Sequence, residues 1–216
     1  MVEISNNFIA LDPVLGDNGQ LYVPRELISI YQDLIPYADL LTPNQYEAEY
    51  FYSNTQRILS DMEIHTLDDA KKAVAYFRTL GVKQVVLTST TLNNSDNLFL
   101  IGANESEFFM IEFPKIDFEF TGTGDLFAAL LVGYSARSTA DGSLKSACER
   151  AITTIQIILQ RTRAYSLDSL KERNINPMEL KAFSTLRKHV ELRLIESMND
   201  ILNSNVISYK AIDIKE

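Results

Sequence analysis

Short apolar runs alternate with segments of helical periodicity along most of this chain. The apolar runs predict strands at 8–11, 39–42, 84–88, 98–101 and 108–113. The 3.6-residue patterns predict helices at 24–34, 45–51, 67–80, 124–136 and 143–162. Because alternating strands and helices are typical of layered α/β folds, we expect one α/β domain over residues 1–216 with a mostly parallel sheet.

The C-terminal quarter of the chain is harder to interpret. Residues 165–188 are polar and irregular, and the pattern assigns them no element. Apolar and charged residues alternate over 190–194, which predicts a strand. Residues 206–212 are predicted to form a last edge strand.

Charge and composition argue against several classes of protein. The 216 residues include 20 Lys and Arg against 29 Asp and Glu, a net charge of -9. This balance argues against nonspecific nucleic-acid binding, which needs a basic surface. Cys148 is the single cysteine, so no intrachain disulfide can form, and its apolar helical neighbours predict a buried thiol. No apolar run reaches the roughly 20 residues of a membrane span, and no secretory signal is seen, so we expect a cytoplasmic protein.

A glycine-rich turn at 121–125 carries the sharpest chemical signal. It reads Thr-Gly-Thr-Gly-Asp and leads directly into an apolar helix. Gly122 and Gly124 permit a tight turn, and the free N–H groups at the helix start would form an anion hole. Asp125 could accept a proton from a hydroxyl bound there. Taken alone, the same residues are also consistent with a plain turn and a helix-favouring acidic residue.

Three further polar segments follow predicted strands or lie close to their ends. Asp12 and Asp17 could hold a hard cation such as Mg²⁺, or simply belong to a turn. Asn44 and Glu47 have the spacing of a helix capping box. The hydroxyls of 88–90 end a strand. Since ligands collect at the carboxyl ends of strands in such sheets, we expect these segments to share one crevice with the glycine turn.

In order along the chain, these segments resemble the pyridoxal kinases of the ribokinase-like superfamily. The similar segments are DPVLGD at 12–17, TPNQYEAE at 42–49, VVLTST at 85–90, GTGDLFAALLVGY at 122–134 and ACERAITTIQIILQRT at 147–162. The resemblance implies a three-layer α/β/α fold. It also implies ATP-dependent phosphorylation of the 5'-hydroxymethyl group of pyridoxal, pyridoxine and pyridoxamine, in vitamin B6 salvage.

The resemblance also implies a role for each matching residue. Asp125 is the expected catalytic base, in contact with the substrate hydroxyl, and Gly122, Thr123 and Gly124 the anion hole. The expected ATP contacts are Asp12, Asn44, Thr88, Ser89, Ile116, Asp117, Phe118 and Thr123. Asp17 and Glu47 are the expected Mg²⁺-side carboxylates, and Thr42 and Thr88 line a site for K⁺ or Na⁺. A homodimer is expected. His65 and His189 have no role in this scheme.

The resemblance covers only part of the family pattern. Relative to the family, the chain lacks the N-terminal third, which supplies residues around the pyridine ring, and it is expected to hold the ATP-binding two-thirds. The alternative function is therefore a non-catalytic nucleotide-binding fragment or a dimer partner. A kinase acting on a hydroxymethylpyrimidine is a further, less favoured hypothesis. The sequence GTGDLF at 122–127 resembles the corresponding segment of pyridoxal kinases more closely.

Overall fold

The computed structural model describes residues 8–17, 19–55, 62–137, 143–172, 191–203 and 206–215. The strands are β1 (Ala10–Leu11), β2 (Gly16–Asp17), β3 (Gln20–Leu21), β4 (Leu40–Leu41), β5 (Gln84–Thr90), β6 (Asn97–Ala103), β7 (Phe108–Pro114) and β8 (Ala211–Asp213). The helices are α1 (Glu26–Leu34), α2 (Gln45–Thr55), α3 (Leu67–Thr79), α4 (Thr123–Arg137), α5 (Leu144–Glu172) and α6 (Met198–Leu202). Short 3₁₀ turns occur at Ile35–Tyr37 and Ile195–Ser197.

The central sheet has the strand order β1-β4-β5-β6-β7-β8. The β1–β4 and β4–β5 pairs are parallel, whereas the pairs from β5 to β8 are antiparallel. β1, β4, β5 and β7 therefore all run in one direction, and only β6 and β8 oppose them. The expected α/β class is confirmed, with antiparallel strands inserted at one side of the sheet. The carboxyl ends of β1, β4 and β5, where ligands bind in such sheets, therefore lie side by side.

Two apolar cores cover the two faces of this sheet. Successive strand residues point to opposite faces, so Val85 and Leu87 join the core under α1, α2 and α3, while Val86 joins the core under α4 and α5. Leu41 and Leu40 divide in the same way. Helices therefore pack on both faces, which confirms the predicted three-layer arrangement.

Local signals fix the start of α3 as the sequence predicts. The Thr66 hydroxyl accepts a hydrogen bond from the Asp69 N–H, and the Asp69 carboxylate accepts one from the Thr66 N–H. This reciprocal capping box satisfies two donors that the first helical turn leaves free. Gly81, at φ 102°, follows the helix end in a left-handed conformation that glycine adopts without strain.

The C-terminal predictions need correction. Residues 165–172 are not irregular, because α5 continues to Glu172 with Ser166 and Leu170 buried. The predicted strand at 190–194 is wrong for the described residues 191–194, where Glu191 makes only an isolated bridge to Thr121. The last strand is confirmed as a short edge strand, but it covers Ala211–Asp213 and not 206–212. Residues 173–190, including His189, lie outside the described residues.

Candidate active site

A cavity of about 280 Å³ opens where the β1, β4 and β5 ends meet the start of α4. Its wall brings together most residues of the predicted site: Asp12, Asp17, Thr42, Asn44, Glu47, Thr88, Gly122, Thr123, Gly124 and Asp125. These residues come from four separate segments of the chain. The sheet topology therefore produces the shared crevice that the sequence predicts.

The half-buried Asp12 carboxylate lies at the centre of this arrangement. The Thr42 hydroxyl donates a hydrogen bond to Asp12 Oδ1 at 3.1 Å. A Cβ on Gly124 would come within 3.7 Å of Asp12 Oδ2, so the carboxylate lies against the first turn of α4. Burial raises the pKa of Asp12; the Thr42 hydrogen bond opposes this shift, and the negative charge of Asp125 adds to it.

Glu47 is buried and held by backbone donors. Its Oε1 accepts the Leu15 N–H at 2.7 Å, and its Oε2 accepts the Asn44 N–H at 2.9 Å. In return, Asn44 Oδ1 accepts the Glu47 N–H at 2.9 Å, so the predicted capping box is present. Burial raises the Glu47 pKa to about 7, although these hydrogen bonds lower it in part. This carboxyl therefore has a structural role at the start of α2 as well as a place in the cavity wall.

The glycine turn presents backbone donors to the same cavity. Gly122 has φ 85°, a left-handed conformation that favours glycine, and a Cβ there would meet nothing within 4 Å. α4 begins at Thr123, so its first N–H groups have no partner one turn back in the helix. They carry the positive end of the helix dipole. The exposed Asp125 carboxylate lies in that first turn and lines the cavity.

The cavity wall also contains four residues that were not predicted as site residues, namely Val14, Gly16, Tyr22 and Phe120. Val14 has φ 37°, which is strained for a β-branched residue and typical of backbone held in place at functional sites. Tyr22 follows the small β2–β3 hairpin, and Phe120 precedes the glycine turn. Val14 and Gly16 lie within the DPVLGD segment, whereas Tyr22 and Phe120 belong to none of the quoted motifs and are brought to the cavity by the tertiary fold.

A second cavity of about 310 Å³ adjoins the first and shares several wall residues with it, including Asn44, Thr88 and Thr123. Its remaining wall is mainly apolar and comes from β6, β7, α4 and α5. The predicted residues Ser89 and Ile116 line it. Asp117 and Phe118 are not part of either wall as described, and Phe118 packs instead against Phe120 with ring centroids 5.2 Å apart. A polar chamber thus leads into an apolar one.

The carboxylates do not form a closed metal cage. Within the described ranges, no group of three or more His, Cys, Asp or Glu side chains has metal-binding geometry. Asp17 is exposed at the cavity, whereas both oxygens of Glu47 already accept backbone hydrogen bonds. Such a donor set fits a Mg²⁺ ion that keeps most of its water and binds through substrate phosphates, as Mg²⁺ commonly does.

Several residues outside the site have simple environments. The Cys148 thiol is fully buried, as predicted, and burial raises its pKa well above the ordinary value. His65 is exposed, pairs with Glu63 at 2.8 Å and lines neither of the cavities described above. None of the helices in the described segments is long and apolar enough to cross a bilayer.

Comparison with known proteins adds sequence relatives that share this pattern. The chain is 38% identical over 202 residues to a pyridoxal kinase from Arabidopsis thaliana, covering 90% of this chain and 58% of the relative. It is 36% identical over 217 residues to a pyridoxal kinase from Dictyostelium discoideum, covering 94% and 64%. The human pyridoxal kinase is 32% identical, with 91% and 62% covered. The chain thus spans about three-fifths of the length of these relatives.

Solved structures and a family model agree with the sequence relatives. The fold matches Plasmodium falciparum PdxK, solved with AMP-PNP and PL, with a TM-score of 0.74, 27% identity and coverage of 96% of this chain and 61% of that one. It matches the Leishmania donovani pyridoxal kinase in complex with ADP with a TM-score of 0.75, 25% identity and coverage of 98% and 64%. The ribokinase-like fold is thereby confirmed. The phosphomethylpyrimidine kinase family model matches residues 2–171, and the chain therefore belongs to the phosphomethylpyrimidine kinase family.

Proposed function

We propose that this chain carries the nucleotide-binding and phosphoryl-transfer part of a pyridoxal kinase. The reaction is ATP-dependent phosphorylation of the 5'-hydroxymethyl group of pyridoxal, pyridoxine or pyridoxamine, a step of vitamin B6 salvage. One observation carries the proposal: Asp125 and the free N–H groups of α4 line the same cavity as Asp12, Asn44 and Thr88. The similarity to pyridoxal kinases from several organisms supports the choice of substrate.

In the proposed reaction, each chemical role is taken by a group of this chain. Asp125 accepts the proton of the substrate hydroxyl, and the hydroxyl oxygen of the substrate forms a bond to the γ-phosphorus. The bond from the γ-phosphorus to the bridging oxygen of ADP breaks in the same step. The N–H groups of Thr123 and Gly124 stabilise negative charge on the transferring phosphoryl oxygens, and Gly122 gives the turn the shape that aims them.

ATP is proposed to span both cavities. Its phosphates lie in the polar cavity, near Asp12, Asn44, Thr88 and Thr123. Ser89 and Ile116 line the apolar cavity, where the adenosine part would lie. Asp117 and Phe118 remain proposed ATP contacts on the basis of the resemblance alone.

Two cations complete the proposed site. A divalent cation such as Mg²⁺ would be held by Asp17 and, through water, by Glu47, and it would supply positive charge to the ATP phosphates. A monovalent K⁺ or Na⁺ would bind beside Thr42 and Thr88, whose side chains line the cavity. The buried Thr42 hydroxyl is already oriented by Asp12, which suits a fixed oxygen ligand.

The proposed setting is a cytoplasmic homodimer without nucleic-acid partners. The net charge of -9 is unfavourable for binding a polyanion. Exposed apolar residues near β1 and on α1 offer a surface that a second chain would cover.

A phosphotransfer assay on the whole chain tests the proposal. Pyridoxal 5'-phosphate formation from ATP, Mg²⁺ and pyridoxal would be measured against an Asp125→Asn blank. We expect a rate above that blank. A rate equal to the blank, in a folded sample that binds Mg·ATP, would contradict catalysis and favour the alternative, a non-catalytic nucleotide-binding fragment or dimer partner.

A further inference from the structure

Gln156 on α5 has a buried amide oxygen whose role the phosphoryl-transfer scheme leaves unexplained. The side chain is only 3% exposed and contributes to the wall of the apolar cavity. Its Oε1 has no hydrogen-bond partner among the described residues. A buried acceptor without a partner is costly, because folding removes it from water and gives nothing back. Such a group in a cavity wall points to a ligand that supplies the missing donor.

The backbone of β7 fixes which end of this amide is free. Gln156 Nε2 donates a hydrogen bond to the Pro114 carbonyl oxygen at 3.3 Å. Turning the amide over would place two acceptors, Oε1 and the Pro114 oxygen, against each other. The nitrogen therefore faces β7, and the oxygen is the group left to pair with a ligand.

The surrounding wall suits a flat heteroaromatic ring. Leu98, Phe127, Ile152 and Leu159 contribute apolar side chains to the cavity. A nucleobase placed among them would bury its faces against carbon and leave its polar edge to seek partners. In the described wall of this chamber, Gln156 supplies an acceptor in an otherwise mainly apolar environment.

We propose that Gln156 Oε1 accepts a hydrogen bond from the exocyclic 6-amino group of a purine and thereby selects adenine over 6-oxo purines. The inference rests on the proposed function, since it assumes that the nucleotide base enters the apolar cavity. Guanine and hypoxanthine carry an oxygen at position 6, which would face Oε1 with like partial charge. Sites built to pair with a polar group discriminate against ligands that leave it unpaired.

Contact requires a small adjustment of the side chain. Oε1 has almost no accessible surface in the unliganded chain. The last side-chain torsion of glutamine has a broad energy profile, so the amide can turn towards the cavity at low cost. We therefore expect Gln156 to turn slightly when the base binds.

Binding of three nucleotides that differ at purine position 6 tests the inference; the 6-oxo purine also carries a proton on N1. The probes are ATP, inosine triphosphate with an oxygen there, and purine riboside triphosphate with a hydrogen there, each titrated with Mg²⁺ by calorimetry. The unmodified chain should bind ATP about 3- to 10-fold more tightly than the purine riboside analogue, the range of one neutral hydrogen bond. Inosine triphosphate should bind weakest.

Gln156→Leu should bind ATP and the purine riboside analogue equally. Gln160→Leu makes the same change on the exposed side of α5 and should keep the preference of the unmodified chain. If the unmodified chain bound all three nucleotides equally, this result alone would overturn the inference, and no variant would be needed. An unchanged preference in Gln156→Leu would overturn it as well. Binding of none of the three would contradict the proposed nucleotide site itself, whereas binding without discrimination contradicts only the assignment of Gln156.

Discussion

At the scale of residues, the carboxyl groups of the site differ in their surroundings. Glu47 is buried and accepts hydrogen bonds from backbone N–H groups, whereas the half-buried Asp12 accepts one from the side-chain hydroxyl of Thr42. Asp125 is exposed to the cavity at the start of α4. A group that exchanges a proton with a bound hydroxyl needs that access, so the exposure of Asp125 supports its proposed role as the base.

Asp125→Asn should remove turnover and leave nucleotide affinity within a few-fold. The amide keeps the shape of the side chain but cannot accept the proton, and general-base contributions are typically about 10²- to 10⁴-fold in rate. The rate of the chemical step and the Mg·ATP affinity would be measured together. Asp33→Asn, an exposed change on α1, is the matched control and should leave both unchanged. A loss below about tenfold in the Asp125 variant would place the base elsewhere.

Glu47 should make the chain less stable as pH rises from about 4.5 to about 7. Over this range the unfolded chain has lost the Glu47 proton, while the folded chain keeps it because burial raises the folded pKa. The free energy of unfolding should fall through this group by up to about 3 kcal/mol and then level off.

Denaturant unfolding at several pH values, with metal chelated, measures this effect. Glu47→Gln should lack this part of the pH dependence, and the exposed control Glu26→Gln should retain it. Parallel pH profiles for the unmodified chain and Glu47→Gln would show that Glu47 titrates normally.

At the scale of elements, local sequence signals were strongest where helices have caps and apolar faces. The start of α2 follows from its capping box, α3 follows from its apolar helical pattern, and the core strand β5 follows from its apolar run. The extension of α5 to Glu172 could not be predicted in this way, because residues 165–172 are polar overall. Its support is tertiary: Ser166 and Leu170 are buried. Likewise, the alternation at 190–194 signals a strand, yet the described residues there find no sheet partner beyond one bridge.

The same contrast applies to the site. Motifs revealed Asp125, Asn44 and Glu47, since their spacing has a local physical meaning. Tyr22 and Phe120 belong to none of these motifs and reach the cavity only through the packing of distant segments. Local sequence patterns therefore predict the side chains with chemical roles, whereas the tertiary structure is needed to identify the other residues of the cavity walls.

Thr66→Ala should lower the free energy of unfolding by about 1 kcal/mol, because it removes the side-chain half of the α3 capping box. Thr79→Ala, near the other end of the same helix, removes a hydroxyl that bonds only within the last turn, to the Tyr76 carbonyl. We expect a smaller effect there. Chemical denaturation of both variants measures the difference, and equal losses would contradict the assigned role of the cap.

At the scale of the whole molecule, the two edges of the sheet have different surfaces. β1 pairs only with β4 among the described strands, and Phe8 and Ile9 beside it are 49% and 47% exposed. β8 forms the other edge, where Asp213 pairs with Lys145 at 2.7 Å. Unpaired apolar edges promote association, whereas charged edges discourage it.

The chain should therefore associate through its β1 side. Ile9→Lys should shift size-exclusion elution towards the monomer over a concentration series, because the charge opposes edge pairing. Ile212→Lys, the same change on the exposed face of β8, should have a smaller effect. Equal elution of the unmodified chain at all concentrations, as a monomer, would contradict this expectation.

The proposed function depends on the cavity at the start of α4 binding the phosphates of ATP. Calorimetric titration of the folded chain with ATP and Mg²⁺, in the absence of pyridoxal, measures it most directly. We predict saturable binding at one site per chain that weakens when Thr88 or Asn44 is replaced by alanine. If a sample shown to be folded gave no binding heat with ATP and no binding of ADP, the proposed phosphate site would be contradicted.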